Sequence, residues 1–142
     1  MNKQKKSKYL EDVILLTRTG VGYVAEKDKK DGEVRIENQF LNTALHGDYV
    51  RVLVNPGTTR GQKTGTVVSI LVRAKEEFVG TVHIKEGSYI VKPQDPRFYT
   101  YINIEDVKQS RSKEDDKVLV KIITWNTSTR IPSGIIKENL GK

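Results

Sequence analysis

The chain has no cysteine, so neither a disulfide framework nor a thiolate metal site can form in it, and a reducing compartment suits it. It also lacks a long apolar run. The basic opening MNKQKKSKYL leads only into Val13 to Leu16, too short for a signal peptide or a membrane span, so a cytoplasmic location without membrane contact is expected. Histidine is scarce: neither His46 nor His83 has a nearby His or Cys with which to hold zinc, nor an evident Ser or Asp to complete a triad. The sequence contains no G-x-x-x-x-G-K-[ST] loop and no G-x-S-x-G elbow. Its carboxylates are scattered. Asp12, Asp28, Asp31 and Asp48 fall at turn-like positions, and Asp115 and Asp116 lie in the charged turn SRSKEDD, which reads as solvated loop. Metal-dependent hydrolysis needs several carboxylates converging from separate elements. No catalysis and no cofactor are therefore expected of this chain.

What is present is charge. Lysine and arginine number 25 against 18 aspartates and glutamates, a net charge of +7, which favours polyanionic partners over a merely solvated basic surface. With 36% hydrophobic and 30% charged residues in a length of 142, the composition suits a folded chain of one medium domain or two small ones.

Internal repetition decides between these. RTGVGYVAEKD (Arg18 to Asp28) returns as KEGSYIVKPQD (Lys85 to Asp95), HGDYVRVLV (His46 to Val54) as EDDKVLVKI (Glu114 to Ile122), and TGTVVSIL (Thr64 to Leu71) as SGIIKENL (Ser133 to Leu140). The offsets are 66 from Tyr23 to Tyr89, 68 from Asp48 to Asp116 and 69 from Gly65 to Gly134. Two copies in one order are a duplication, not a solenoid. They predict a basic arm or linker at 1–9, carrying Lys3, Lys5, Lys6 and Lys8, then one domain over 10–74 and a second over 75–142.

Within each copy, short runs of Val, Ile and Tyr alternate with polar residues and break at Gly, Asp, Asn and Ser, the pattern of strands and turns. Strands are predicted at 12–17, 20–25, 33–37, 48–54 and 65–72, and again at 78–84, 88–92, 101–104, 117–124 and 134–139. Residues 38–45 could add one helical turn, with Asn42 as a cap. Five short strands with no amphipathic helix between them argue for a small closed barrel in each copy, since closure removes exposed edges.

The two-residue period puts Val21 and Tyr23 on one strand face and Gly22 and Val24 on the other, with the glycines leaving room for a flat ligand beside an outward ring. Arg35 and Glu37 point away from the core towards that face. In the second copy Tyr89 stands beside Ser88, and Tyr101 shares a face with Asn103 while Ile102 and Ile104 turn inwards. Exposed rings among cations suit single-stranded nucleic acid, because any base can stack on a ring while cations follow the phosphates. The candidate binding residues are Tyr23, Arg35, Tyr89 and Tyr101, with the cations Arg18, Lys85, Lys92 and Arg97, and also Lys27, Lys29 and Lys30. The alternative is that Tyr23 and Tyr89 are half-buried core residues. Trp125 and Phe78 read as packing residues.

G-V-G-Y-V (Gly20 to Val24) resembles the first RNA-contact strand of cold-shock domains. L-N-T-A-L-H-G-D-Y-V-R-V (Leu41 to Val52), G-x-V-V-x-I-L-x-R-A (Gly65 to Ala74) and F-V-G-T-V (Phe78 to Val82) resemble the tandem cold-shock region of the ribonuclease R and ribonuclease II family. V-x-V-K-I-x-x-W (Val118 to Trp125) and P-S-G-I-I-K-E-N-L-G (Pro132 to Gly141) resemble that region's exit towards the catalytic domain. The resemblance implies an all-β chain of two tandem five-stranded OB-fold barrels of cold-shock type. It implies single-stranded RNA and the catalytic domain of the same parent chain as partners, a monomer, and a parent that is a magnesium-dependent 3′-to-5′ exoribonuclease. The chain departs from the family where Arg35 and Asn103 stand at positions that usually carry phenylalanine, and Val21 and Gly87 replace rings of the first motif. Fewer rings shift the expected binding towards charge. Two other readings stay open, a free-standing RNA chaperone and a protein-interaction module.

Overall fold

The computed structural model describes residues 8–26, 32–105 and 111–141, so Lys3, Lys5, Lys6, Lys27, Lys29 and Lys30 lie outside the described residues. The chain divides into two compact units, Met1–Ala74 and Lys75–Lys142. The first holds β1 (Lys8–Leu16), β2 (Gly22–Ala25), β3 (Glu33–Ile36), β4 (Tyr49–Val54) and β5 (Lys63–Val72). The second holds β6 (Glu77–Lys85), β7 (Ser88–Pro93), β8 (Ile102–Ile104), β9 (Lys117–Asn126) and β10 (Ile131–Gly141).

Each set closes into a barrel, β1-β2-β3-β5-β4 in the first unit and β10-β8-β7-β6-β9 in the second. Counted within its own unit, each reads 1-2-3-5-4 and back to 1, with the 3-5 pair parallel and the rest antiparallel. Alternation fills the interiors: Ile14, Val24, Ile36 and Val52 are fully buried in the first barrel, and Val82, Val91, Ile102 and Val120 in the second.

The duplication extends to individual hydrogen bonds. Gly47 N–H donates to Ile14 O and Ile14 N–H to Asp48 O, at 2.8 and 2.9 Å, while Asp115 N–H donates to Val82 O and Val82 N–H to Asp116 O at the same distances. Gly47 and Asp115 both have positive φ, 90° and 71°. Asp48 then accepts Leu45 N–H at 2.8 Å, and Asp116 accepts Lys113 N–H at 2.9 Å. Asp116 is accordingly buried, which corrects its reading as solvated loop. Its carboxylate also accepts the Asn139 amide at 2.9 Å, tying the turn before β9 to the end of β10. Asp48 does the same for β5 through Arg73 at 2.8 Å and Ala74 N–H at 2.9 Å.

Three further expectations change. Lys8 and Tyr9 belong to β1 and not to an arm, because the Lys8 ammonium reaches the buried Glu26 carboxylate at 2.6 Å. The helical turn is one 3-10 turn at Asn38–Phe40, and Asn42 follows it at φ 60°, a left-handed conformation that asparagine tolerates. Gly22 faces the core: a Cβ there would lie 2.7 Å from Ile14 Cδ1 and 3.0 Å from Leu41 Cδ2, so this glycine makes room for the core and not for a ligand.

The ionisation of the buried Glu26 is biased by its neighbours. Lys63 and then Lys8 hold its carboxyl below the ordinary value of 4.5 against the opposing effect of burial. Lys63 Nζ lies 2.8 Å from Oε1 and Lys8 Nζ 2.6 Å from Oε2, so each carboxylate oxygen faces one ammonium. A carboxylate with a lowered folded pKa stabilises the fold above its unfolded pKa, and this contribution fades as pH falls through the folded value.

Candidate nucleic-acid interface

Cross-strand partners define the outward rows. In the first barrel Leu15 faces Tyr23, Tyr23 faces Arg35, and Arg35 faces Thr64. In the second, His83 faces Ile90, Ile90 faces Asn103, and Asn103 faces Ser133. Ile90, not Tyr89, therefore occupies the place of Tyr23. Tyr89 has the parity of the buried Val91 and pairs with Ile84. The register counterpart of Tyr23 lies 67 residues on, one more than the offset to Tyr89, and with a two-residue period a slip of one moves a side chain to the opposite face.

Tyr23 and Arg35 of the first row are already engaged with each other. Arg35 Nη1 donates to the Tyr23 hydroxyl at 2.8 Å, and its guanidinium carbon lies 5.8 Å from the ring centroid. Arg35 Nε also donates to Glu37 at 2.7 Å, and that pairing holds the guanidinium pKa above its ordinary value. Arg35 is thus a structural clasp on Tyr23 more than an open phosphate ligand. Arg97 is similarly engaged, forked onto Asp95 by Nε at 3.0 Å and Nη2 at 2.9 Å. Arg18, Lys85 and Lys92 are exposed, and among the described residues none has an acidic partner.

Lys85 and Lys92 stand on a groove of about 750 Å³ in the second barrel. It is lined by Ile84, Ile90 and Pro93 and by the segment 95–101 with Phe98, Tyr99 and Tyr101. That segment is held by the tip of the β9–β10 hairpin. Phe98 packs edge-on against Phe78 at 4.9 Å and stacks on Trp125 at 6.4 Å, and Arg130 lies 5.7 Å from the Tyr99 ring centroid. Trp125 and Phe78 are thus packing residues, as predicted. The sequence signal missed here is the run P-R-F-Y-T-Y between two strands, an aromatic-dense loop in a chain with only 7% aromatics.

His83 acquires a neighbour invisible in the sequence, with its Nδ1 3.4 Å from Glu114. His83, Glu114 and Asp115 bring ligating atoms within 4.8 Å of one another. This trio does not fit magnesium, which favours oxygen ligands and several carboxylates, and Glu114 already accepts Ile84 N–H at 3.0 Å. His46 is structural: its Nδ1 accepts Leu16 N–H at 3.0 Å.

Residues 13–70 match the family model described as Ribonuclease B OB domain, and residues 90–142 match the Cold shock domain model. Ribonuclease R of Vibrio cholerae is 26% identical over 140 residues, covering 97% of this chain and 17% of that protein. The chain thus spans about a sixth of the length of the curated relatives it matches. Among solved structures, Mycoplasma genitalium RNase R in complex with ribose methylated single-stranded RNA superposes with a TM-score of 0.80 at 20% identity, covering 94% of this chain and 22% of that one. The yeast pseudonuclease Ssd1 superposes with a TM-score of 0.74 at 17% identity, covering 94% of this chain and 23% of that one. Among the described residues, no helix is long and apolar enough to cross a membrane.

Proposed function

Since the two barrels are tandem OB and cold-shock domains homologous to those of the ribonuclease R family, we propose that this chain is the RNA-guiding region of such an enzyme. Both barrels are read as OB folds of cold-shock type. The parent is a 3′-to-5′ exoribonuclease whose magnesium-dependent centre lies in a catalytic domain outside these residues, and this region is cytoplasmic, monomeric and non-catalytic. One observation of geometry carries the RNA reading: Lys85 and Lys92, without an acidic partner among the described residues, line an aromatic groove. Capture of a solved relative with single-stranded RNA supports the same ligand.

The test is titration of a fluorescent single-stranded RNA of about 12 nucleotides at two salt concentrations. If Arg18, Lys85 and Lys92 each meet one phosphate, the slope of log affinity on log salt is about −2. Affinity then falls roughly twentyfold between about 50 and about 200 mM salt. No binding at the lower salt would refute the proposal and favour a protein-interaction role, for which Leu15 and Val72, 55% and 62% exposed, offer apolar surface.

A further inference from the structure

We infer that His83, Glu114 and Asp115 form a binding site for one divalent ion of the zinc class, a first-row transition metal, on the second barrel. Binding of this ion is independent of the RNA reading above.

The donor set is one imidazole and two carboxylates, with ligating atoms within 4.8 Å of one another. His83 Nδ1 stands 3.4 Å from Glu114 Oε2. That is long for a hydrogen bond between these groups, whereas two ligands of a tetrahedral zinc, each bonded at about 2.0 to 2.1 Å, sit about 3.3 Å apart. The negative charge also lacks an answer. Among the described residues neither carboxylate has a lysine or arginine partner, although the chain carries 25 such residues. A nitrogen with two carboxylates suits zinc and its first-row neighbours, while calcium takes about six to eight oxygens.

The backbone holds these groups in place. Glu114 Oε1 accepts Ile84 N–H at 3.0 Å, which leaves Oε2 turned to His83. Asp115 N–H donates to Val82 O at 2.8 Å and Val82 N–H to Asp116 O at 2.9 Å, so β6 and the turn before β9 are fastened beside the donors. The first barrel has the same frame without the donor set. Leu15, His46 and Gly47 stand there, each 68 residues earlier, and His46 Nδ1 takes Leu16 N–H at 3.0 Å as Glu114 takes that of Ile84. The frame therefore closes without an imidazole at the place of His83 or a carboxylate at that of Asp115. Asp115 even holds a φ of 71° where the first barrel has glycine. Three protein ligands leave the ion a position open for water or an oxyanion, and His83 and Glu114 line the groove of the second barrel.

The experiment titrates zinc chloride into the whole chain by calorimetry and follows the two histidine imidazoles by NMR. One ion per chain is expected, moving the His83 resonances and leaving those of His46 in place. Asp115→Gly installs the residue that the first barrel has at this positive φ, and Glu114→Gln keeps an oxygen for Ile84 N–H, so both variants retain the barrel. Each of them, and His83→Ala, should weaken zinc at least about tenfold, because loss even of an outer-shell partner costs that much. Zinc should also raise the urea midpoint read from Trp125 in the unaltered chain and not in Asp115→Gly, since the ion ties β6 to the turn before β9. No zinc binding by the unaltered chain, binding indifferent to His83→Ala and Asp115→Gly, or shifts at His46 equal to those at His83 would each overturn the site.

Discussion

Asp48→Ala lowers the stability of the first barrel by about 3 to 5 kcal/mol, the range for removing one partner of a buried ion pair. Asp48 is 1% exposed, and its two oxygens accept Leu45 N–H, Ala74 N–H and the Arg73 guanidinium. Arg73 in turn donates to Thr43 O at 2.6 Å and Thr43 Oγ1 at 2.7 Å, so the carboxylate joins the 43–48 turn to the end of β5. Truncation leaves the buried Leu45 N–H without its acceptor, frees the Ala74 N–H and strips the guanidinium of its counter-charge. The equivalent Asp116→Ala removes the acceptor of Lys113 N–H and of the Asn139 amide, and should cost about 1 to 3 kcal/mol. Urea unfolding separates the two effects: Trp125 fluorescence reports the second barrel alone, and amide exchange at Val50 and Val52 reports the first. A loss below about 1 kcal/mol on Asp48→Ala would contradict the anchoring role.

Gly80→Ala should destabilise the second barrel by about 3 kcal/mol, the upper end of the usual overpacking range. A Cβ at this inward position would lie 2.5 Å from Lys92 O and 2.5 Å from Val91 Cγ1. The first of these is backbone of the paired strand β7, so relief would require the barrel wall itself to shift. Gly134 is similar, with a Cβ 2.5 Å from Lys121 O, and Gly65 in the first barrel would meet Leu53 O at 2.8 Å. Gly61 provides the control. It has open space around it and a φ of 79°, so alanine there adds only left-handed backbone strain of about 1 to 2 kcal/mol. Thermal unfolding of Gly80→Ala and Gly61→Ala should therefore differ clearly, and equal midpoints would show that β6 and β7 can separate without loss.

The close approach at Gly65 and Gly134 explains why these glycines were landmarks of the repeat, and the paired turn bonds explain Asp48 and Asp116. Strand number and order of copies were legible because burial imposes a two-residue alternation on every strand, and Val and Ile at those positions record it. The binding face was less legible. Matching Tyr23 with Tyr89 compares like residues, but hydrogen-bond register pairs Tyr23 with Arg35 and Ile90 with Asn103, so the second ring falls on the inward parity. Which cations remain available depends on side-chain neighbours that spacing does not encode: Arg35 and Arg97 are held by acids two positions away in sequence, yet Lys85 and Lys92 are not. The solvated reading of Asp116 failed because its partner Asn139 lies on a different strand.

The division of labour between the barrels can be read most directly by amide chemical-shift mapping of the whole chain on addition of a single-stranded oligouridylate. The largest shifts are predicted at 83–92 and 99–103, around Tyr101, Lys85 and Lys92, with smaller and salt-sensitive ones near Arg18. Shifts concentrated at Leu15, Tyr23 and Arg35, with the segment 95–101 unmoved, would contradict it.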